Sequence, residues 1–388
     1  MNKKILIIII PLLFLLTGCY DYKELNSISI LSATEINKID DEFIISAQAV
    51  NPQAPDKTAN AQAPFIIYTG KGKTIQEAYR SIANESSKFL YLNHIQILII
   101  NEKIAKESLD EIVDYYMRSS AIRTEFYVLI GRDDNILDVI TPINDISSAS
   151  IKESIENNLK YLGTTSDITF NELVSIMLDK NSEIVLPSIK LINDSKEGEN
   201  IENTEKTKVN TKYELSNLAI FKDDKLIGYL DEEQSKTYNI LQNKINNTIL
   251  TYECDKDKYM SVEIIDSKSS MDVSNKKANI EVKLSGNLNE YNCSKSLDNK
   301  KTIEQIEKEF EQKLTETITK NINEVRTEYN SDIFSFLDNI YKKDYKTYKT
   351  IKNNWYNSNY QELELSVKVD LTVIAKGKVM EAINEKNQ

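Results

Sequence analysis

Cys19 is the residue whose setting most plainly implies chemistry. It closes the run Leu16-Thr17-Gly18-Cys19, which follows Lys3, Lys4 and an apolar stretch from Ile5 to Leu16 varied only by Pro11. Small residues ahead of a cysteine let a peptidase seat the backbone, and a thiol in that place can take a diacylglyceryl group as a thioether. As a helix the apolar stretch would reach roughly 18 Å, well short of the ~30 Å hydrocarbon core of a bilayer. The pattern is therefore an export signal over residues 1–18, not a spanning segment. It predicts a body held to a membrane by acyl chains on Cys19, and two chains anchor stably where one is marginal. Asp21, Glu24 and Leu25 follow directly, placed either to meet a membrane-embedded partner or to orient the first strand.

The remaining reactive side chains do not assemble into a catalytic set. His94 is the sole histidine, so any Ser-His or Cys-His dyad must be built around it, and its place at the head of an apolar strand favours a structural role. With one histidine and two unmodified cysteines, a tetrahedral zinc site lacks ligands unless carboxylates complete it. No metal or cofactor is expected. Gly70-Lys71-Gly72-Lys73 has neither the spacing nor the terminal Ser/Thr of a phosphate loop. Adjacent acids such as Asp40-Asp41 and Asp223-Asp224 read as solvated turns. Cys254 and Cys293 lie beside strand-like segments in the C-terminal half; a disulfide and two separate thiols fit equally, and spacing does not decide.

Composition suits an exported acidic body. Lysine and arginine total 48 against 60 acids, a net charge of −12 that makes nucleic acid an unsuitable partner. An apolar content of 40%, with 21 Tyr and 10 Phe, supports more than one core. The elements divide into two blocks. In the first, 43–50 and 65–68 read as strands around a proline-bearing loop, Thr74 caps a helix carrying Ile75, Ala78, Tyr79 and Ile82, and 95–100 is a strand covered on both faces. A helix over 102–117 and a strand over 125–130 complete a strand–helix alternation, which predicts a mixed or parallel sheet with packed helices.

A polar stretch, 193–212, reads as a linker or long mobile loop. The second block opens on a hairpin at 218–230 and ends on the alternating strand 363–373, with Ile280, Val282 and Leu284 repeating that alternation. Between them lies one long helix with Ile303, Ile306, Phe310, Leu314, Ile318, Ile322, Val325 and Tyr329 on one stripe, expected to pack on its own sheet. Thr302 and Gln305 form a capping-box pattern at its start, and Glu304/Lys308, Glu309/Lys313 and Glu316/Lys320 stand at i, i+4. Lysines 342, 343, 346, 349 and 352 interleave with Tyr341, Tyr345, Tyr348 and Trp355. That segment reads as a solvated helix flank with buried aromatics, or as a surface for anionic headgroups or an acidic loop. The expected fold is α+β and multidomain: signal 1–18, an N-terminal mixed α/β domain 19–192, the linker 193–212, and a C-terminal domain 213–388 of largely antiparallel sheet on the long helix.

These segments resemble the spore germination proteins of the Ger(x)C type, the lipoprotein C subunits of nutrient germinant receptors. The resemblance is carried by Gly18-Cys19-Tyr20-Asp21-Tyr22-Lys23-Glu24-Leu25, Thr74–Ala78 with Arg80, Asn93–Ile100, Leu218–Phe221 through Gly228-Tyr229-Leu230, and Asp332-Ile333-Phe334 with Trp355. It departs at Arg118-Ser119-Ser120-Ala121-Ile122-Arg123, which keeps two arginines and loses an acidic pair between them. The resemblance implies a non-enzymatic subunit on the outer face of the spore's inner membrane, assembled with polytopic A and B subunits. A solute-binding lipoprotein of a transporter is the alternative, and would place a ligand cleft between two similar lobes.

Overall fold

The computed structural model describes residues 24, 27–51, 64–120, 122–139, 147–193, 195–199, 203, 209–245, 247–294 and 300–375. The chain first builds an antiparallel meander of β1 (Ile28–Ile39), β2 (Glu42–Val50) and β3 (Phe65–Gly72). Asp40 and Asp41 turn the first hairpin with φ of 49° and 61°, the left-handed conformation that short hairpin turns require and Asp tolerates. A short β4 (Phe89–Tyr91) lies beside the start of β1, and β5 (Ile97–Asn101), β6 (Tyr127–Gly131) and β7 (Val185–Ile192) run parallel to β1. Strands β8 (Lys212–Lys222) and β9 (Lys225–Tyr229) return antiparallel. The nine-stranded mixed sheet is ordered β3-β2-β1-β5-β6-β7-β8-β9, with β4 off the path.

Both faces of its centre are covered, as the unbroken apolar run of β5 requires. Ile97 and Ile99 join Leu129, Ile151 and Ile155 on one face, while Leu98 and Ile100 join Val128, Ile104, Ile112 and Tyr116 on the other. The helices supplying these contacts are α1 (Ile75–Ser81), α2 (Glu102–Glu107), α3 (Asp110–Arg118), α4 (Ser147–Tyr161) and α5 (Phe170–Asp179). Residues 102–117 form two helices rather than the single one expected. The ladder breaks at Ser108, whose φ of −176° is extended, and buried Leu109 donates its amide to the carbonyl of Asp224 instead. Gly70 and Gly72 allow α1 to lie on β3: a Cβ on Gly70 would come within 2.0 Å of the Ala78 carbonyl oxygen.

The polar stretch at 193–212 joins β7 to β8, two neighbouring strands of this one sheet. Asn203, 2% exposed, accepts from the amides of Asn210 and Thr211 and donates to the Thr211 carbonyl, so a side-chain amide supplies the partners that an apolar core cannot. The 218–230 hairpin, expected to open the second block, completes the first sheet.

After Asp231, which caps α6 (Glu232–Leu241) in a capping box with Gln234, the chain forms a four-stranded sheet. Its strands are β10 (Thr248–Asp255), β11 (Lys258–Val273), β12 (Lys277–Tyr291) and β13 (Glu364–Ala375). The first three pair antiparallel and β13 joins β12 in parallel. That last pairing needs a crossover, provided by α7 (Lys300–Tyr329), α8 (Phe336–Lys343) and α9 (Tyr345–Ile351). The expected α7 stripe packs on this sheet, with Ile306, Phe310, Leu314, Ile318, Ile322 and Val325 buried. Helix α7 starts at Lys300, so Thr302 lies inside its first turn rather than at its cap. Lys320 sits 3.7 Å from Glu324, and Lys313 reaches the carbonyl of Glu253. Among the described residues, the buried apolar side chains of both sheets fall between residues 31 and 371.

The open sheet edges are capped by helix side chains. On β3, the amide of Thr69 donates to Glu85 and that of Lys71 to Ser81. On β10, Lys236 reaches the Ile249 carbonyl at 3.4 Å, beside the Lys313–Glu253 contact. On β13, Glu311 accepts from the Leu371 amide at 2.9 Å and Glu307 from that of Val373 at 2.8 Å. Unpaired strand edges recruit other chains, and these contacts occupy part of the edge on three of the outer strands.

Candidate functional site

The second-half signature residues converge where the two sheets meet. Ser331 donates to the Phe221 carbonyl at 2.6 Å and Tyr329 to the Tyr229 carbonyl at 3.2 Å, tying the end of α7 to the β8–β9 hairpin. Gly228 permits this approach, because a Cβ there would lie 2.3 Å from the Tyr329 ring. Asp332 is fully buried; its carboxylate accepts from the amides of Phe336 (3.0 Å) and Leu337 (2.8 Å) and from the Trp355 indole (3.1 Å). Burial outweighs those three donors and pushes the Asp332 carboxyl up to about 7.

A second polar group sits beside it. Glu183 accepts from the Tyr356 hydroxyl and from the Asp223 amide, and burial raises its carboxyl. Lys222 lies 3.9 Å over the Tyr356 ring and donates to the Asn330 carbonyl; its burial lowers the ammonium pKa. Val185, Leu218, Ile220 and Leu230 of the first sheet share one core with Phe334, Phe336, Trp355 and Tyr360 of the second half. The junction is filled rather than open, and the two halves have unlike sheets, nine-stranded and four-stranded. Both features differ from the cleft between similar lobes that a solute-binding protein uses.

Of the residues singled out from the sequence, Cys19, Asp21 and Leu25 lie outside the described residues. Glu24 is exposed, and its carbonyl accepts from the Ser27 amide and hydroxyl. His94 is exposed, its ring tilted against Tyr91 at 5.6 Å. Arg118 pairs with Asp114 one turn earlier at 2.8 Å, so the arginine turn finds its acid within α3. Cys254 and Cys293 are joined as a disulfide, with Cα atoms 6.0 Å apart across 39 residues. Closing a loop of that length stabilises by about 4 kcal/mol in the chain-entropy account. Cys254→Ser/Cys293→Ser is therefore expected to lower the urea midpoint, and reducing agent should shift the parent chain but not the double variant.

Comparison with known proteins gives this architecture a family. Residues 21–191 match the spore germination protein N-terminal domain, and residues 216–377 match the spore germination B3/GerAC-like C-terminal domain. The chain belongs to the GerAC-like spore germination proteins. It is 27% identical over 395 residues to spore germination protein KC of Bacillus subtilis strain 168, covering 97% of each chain. Spore germination protein B3 of the same strain is 23% identical, covering 95% of this chain and 96% of that one. The crystal structure of the GerBC protein superposes with a TM-score of 0.57 at 18% identity, covering 91% of this chain and 100% of the other. That match shows the α+β fold of the GerAC-like chain. The hairpin and Asp332–Trp355 segments quoted above fall inside the C-terminal match, and Glu183 and Val185, which meet them at the junction, fall inside the N-terminal match.

Proposed function

We propose that this chain is the lipid-anchored, non-enzymatic C subunit of a nutrient germinant receptor. Cys19 would carry the diacylglyceryl group and hold the body on the outer face of the spore's inner membrane, where it assembles with polytopic A and B subunits to trigger germination. The observation that carries the reading is end-to-end similarity to spore germination proteins, together with Leu16-Thr17-Gly18-Cys19 just ahead of the matched region. The body's own side chains support a scaffold. The buried carboxylates at the junction are engaged by backbone amides, an indole and a tyrosine, and His94 faces solvent against Tyr91.

The test is purification of the tagged chain from spore membranes. Recovery with two polytopic proteins, and an acylated Cys19 peptide by mass, is the expected result; recovery alone with an unmodified thiol would overturn it. In Cys19→Ala the membrane-bound fraction is expected to fall to near background and nutrient-triggered germination to slow. The thermal unfolding of the body should stay unchanged, because among the described residues the buried apolar core begins at Leu31.

A further inference from the structure

The lysine–aromatic segment buries Trp355 and half-buries Tyr348, as one reading of its sequence expected, but not its first two rings. Tyr341 is 41% exposed and Tyr345 is 53% exposed, and with Tyr348 they form a ring cluster with centroids 4.9 to 5.8 Å apart. Lys349 lies 4.5 Å over Tyr345 and Lys352 5.4 Å over Tyr348, which holds the rings upright among charges. Residues 341–352 carry five lysines against the single Asp344, in a chain whose net charge is −12. Lys342 is neutralised by Asp338 and Lys343 by Asp272, leaving Lys346, Lys349 and Lys352 exposed. Next to them, Asp179 acts on both Lys342 and Tyr348, and its neighbour Leu178 is 71% exposed.

We infer that this patch lies against an anionic phospholipid surface and is a second membrane contact besides the lipid on Cys19. Exposed tyrosines set among ammonium groups, with an exposed leucine next in sequence to Asp179, match the level of a bilayer where apolar and charged atoms meet. The charges are lysines without an arginine, point charges that suit mobile phosphate headgroups rather than the planar carboxylate pairing of a folded partner. The fold supplies the orientation. The Tyr348 hydroxyl bonds Asn181, four residues ahead of β7, and β7 runs parallel to β1, so the patch sits at the sheet rim where the chain enters β1. From Cys19 to Ile28 an extended chain spans at most roughly 30 Å, so the anchor brings this rim to the bilayer. The inference rests on the lipid-anchor reading for its setting.

The test uses a chain starting at Tyr20, which keeps every core residue among those described but carries no acyl group, so its result is independent of whether Cys19 is modified. Co-sedimentation with phosphatidylglycerol-rich vesicles is expected, weakening as salt rises, with little binding to pure phosphatidylcholine vesicles. Lys346→Gln/Lys349→Gln/Lys352→Gln removes three surface charges and is expected to reduce the partition coefficient roughly a hundredfold, at about fivefold per lysine. Tyr341→Ser/Tyr345→Ser should weaken binding while leaving its salt dependence intact. Equal binding to both vesicle types, or a triple variant that binds like the parent, would overturn the proposal. So would a body that ignores vesicles while the triple variant loses co-purification with other receptor subunits, since the lysines would then serve an acidic protein.

Discussion

Trp355→Ala is expected to destabilise the folded chain by about 4 kcal/mol, the range for deleting a fully buried aromatic side chain. Trp355 is 1% exposed and its ring packs 5.6 Å from that of Tyr360, which is itself fully buried. Removing it opens a cavity at the place where the two sheets share a core, and it also strips the indole donor from Asp332. The carboxyl would keep two amide donors in an apolar site, and an underpaired buried charge is costly. Both effects act at one position, so the loss should exceed that of Tyr348→Ala, whose ring is only part-buried. Trp355→Phe separates them: it restores most of the volume without the N–H, and should recover more than half of the loss. Urea unfolding followed by circular dichroism measures all three. A Trp355→Ala chain within 1 kcal/mol of the parent by that measurement, a loss typical of an ordinary surface substitution, would remove Trp355 from the junction's supports. The polytopic subunits proposed as partners would then meet a body whose halves hold together by other contacts.

Much of this architecture was legible where hydrophobic periodicity was strong. The β5 run, the alternation of 363–373 and the α7 stripe each state which face is buried, because a one-residue slip would expose the whole set. What periodicity lacks is direction and neighbours. Nothing in 363–373 says that β13 lies parallel to β12, and nothing in 218–230 says that the hairpin pairs with β7 across a polar loop. Strand β1 went unread for a different reason. Its sequence, ISILSATEINKI, places Thr34 and Glu35 at fully buried positions, where a pattern reading expects apolar residues. Helix α4 hides likewise, with Ser147 and Ser148 buried at its start. The junction was readable only as separate segments, because Asp332, Trp355 and Phe221 are distant in sequence and meet only after both sheets form. The exposed tyrosines of α8 and α9 were read as core for the converse reason: aromatic spacing on a helix normally means burial, and a surface that needs rings gives the same spacing.

The buried acids that broke those patterns give the second large expectation: the body should be more stable at pH 5 than at pH 8. Glu35 is fully buried at the centre of β1. It accepts from the amides of Asn135 (2.9 Å) and Leu137 (3.1 Å) and from the Asn37 side chain (3.2 Å), so it pins the segment after β6 to β1. Burial nevertheless dominates and raises its carboxyl from 4.5 to about 7, as it raises Asp332 from 3.8 to about 7. In the unfolded chain both acids would lose their protons near 4, so between there and 7 the folded state binds more protons. The stabilisation is complete below the unfolded values and is lost as pH climbs through 7. At 1.36 kcal/mol per unit, Glu35 accounts for about 3 kcal/mol and Asp332 for about 4 as upper figures. Asp138, raised by burial to about 6, has the same sign. The lowered carboxyls act below the normal carboxylate range, outside this window: Asp114 and Asp344 face solvent, and Glu102 is partly buried against Lys106 and Tyr229. Glu35→Gln cannot ionise, so its stability should change less between pH 5 and 8 than that of the parent, and the difference between the two curves isolates Glu35 from the general relief of charge repulsion in an acidic chain. Unfolding free energies in urea at three pH values provide the measurement, and parallel curves for parent and variant would show that Glu35 keeps an ordinary carboxylate proton affinity in the fold.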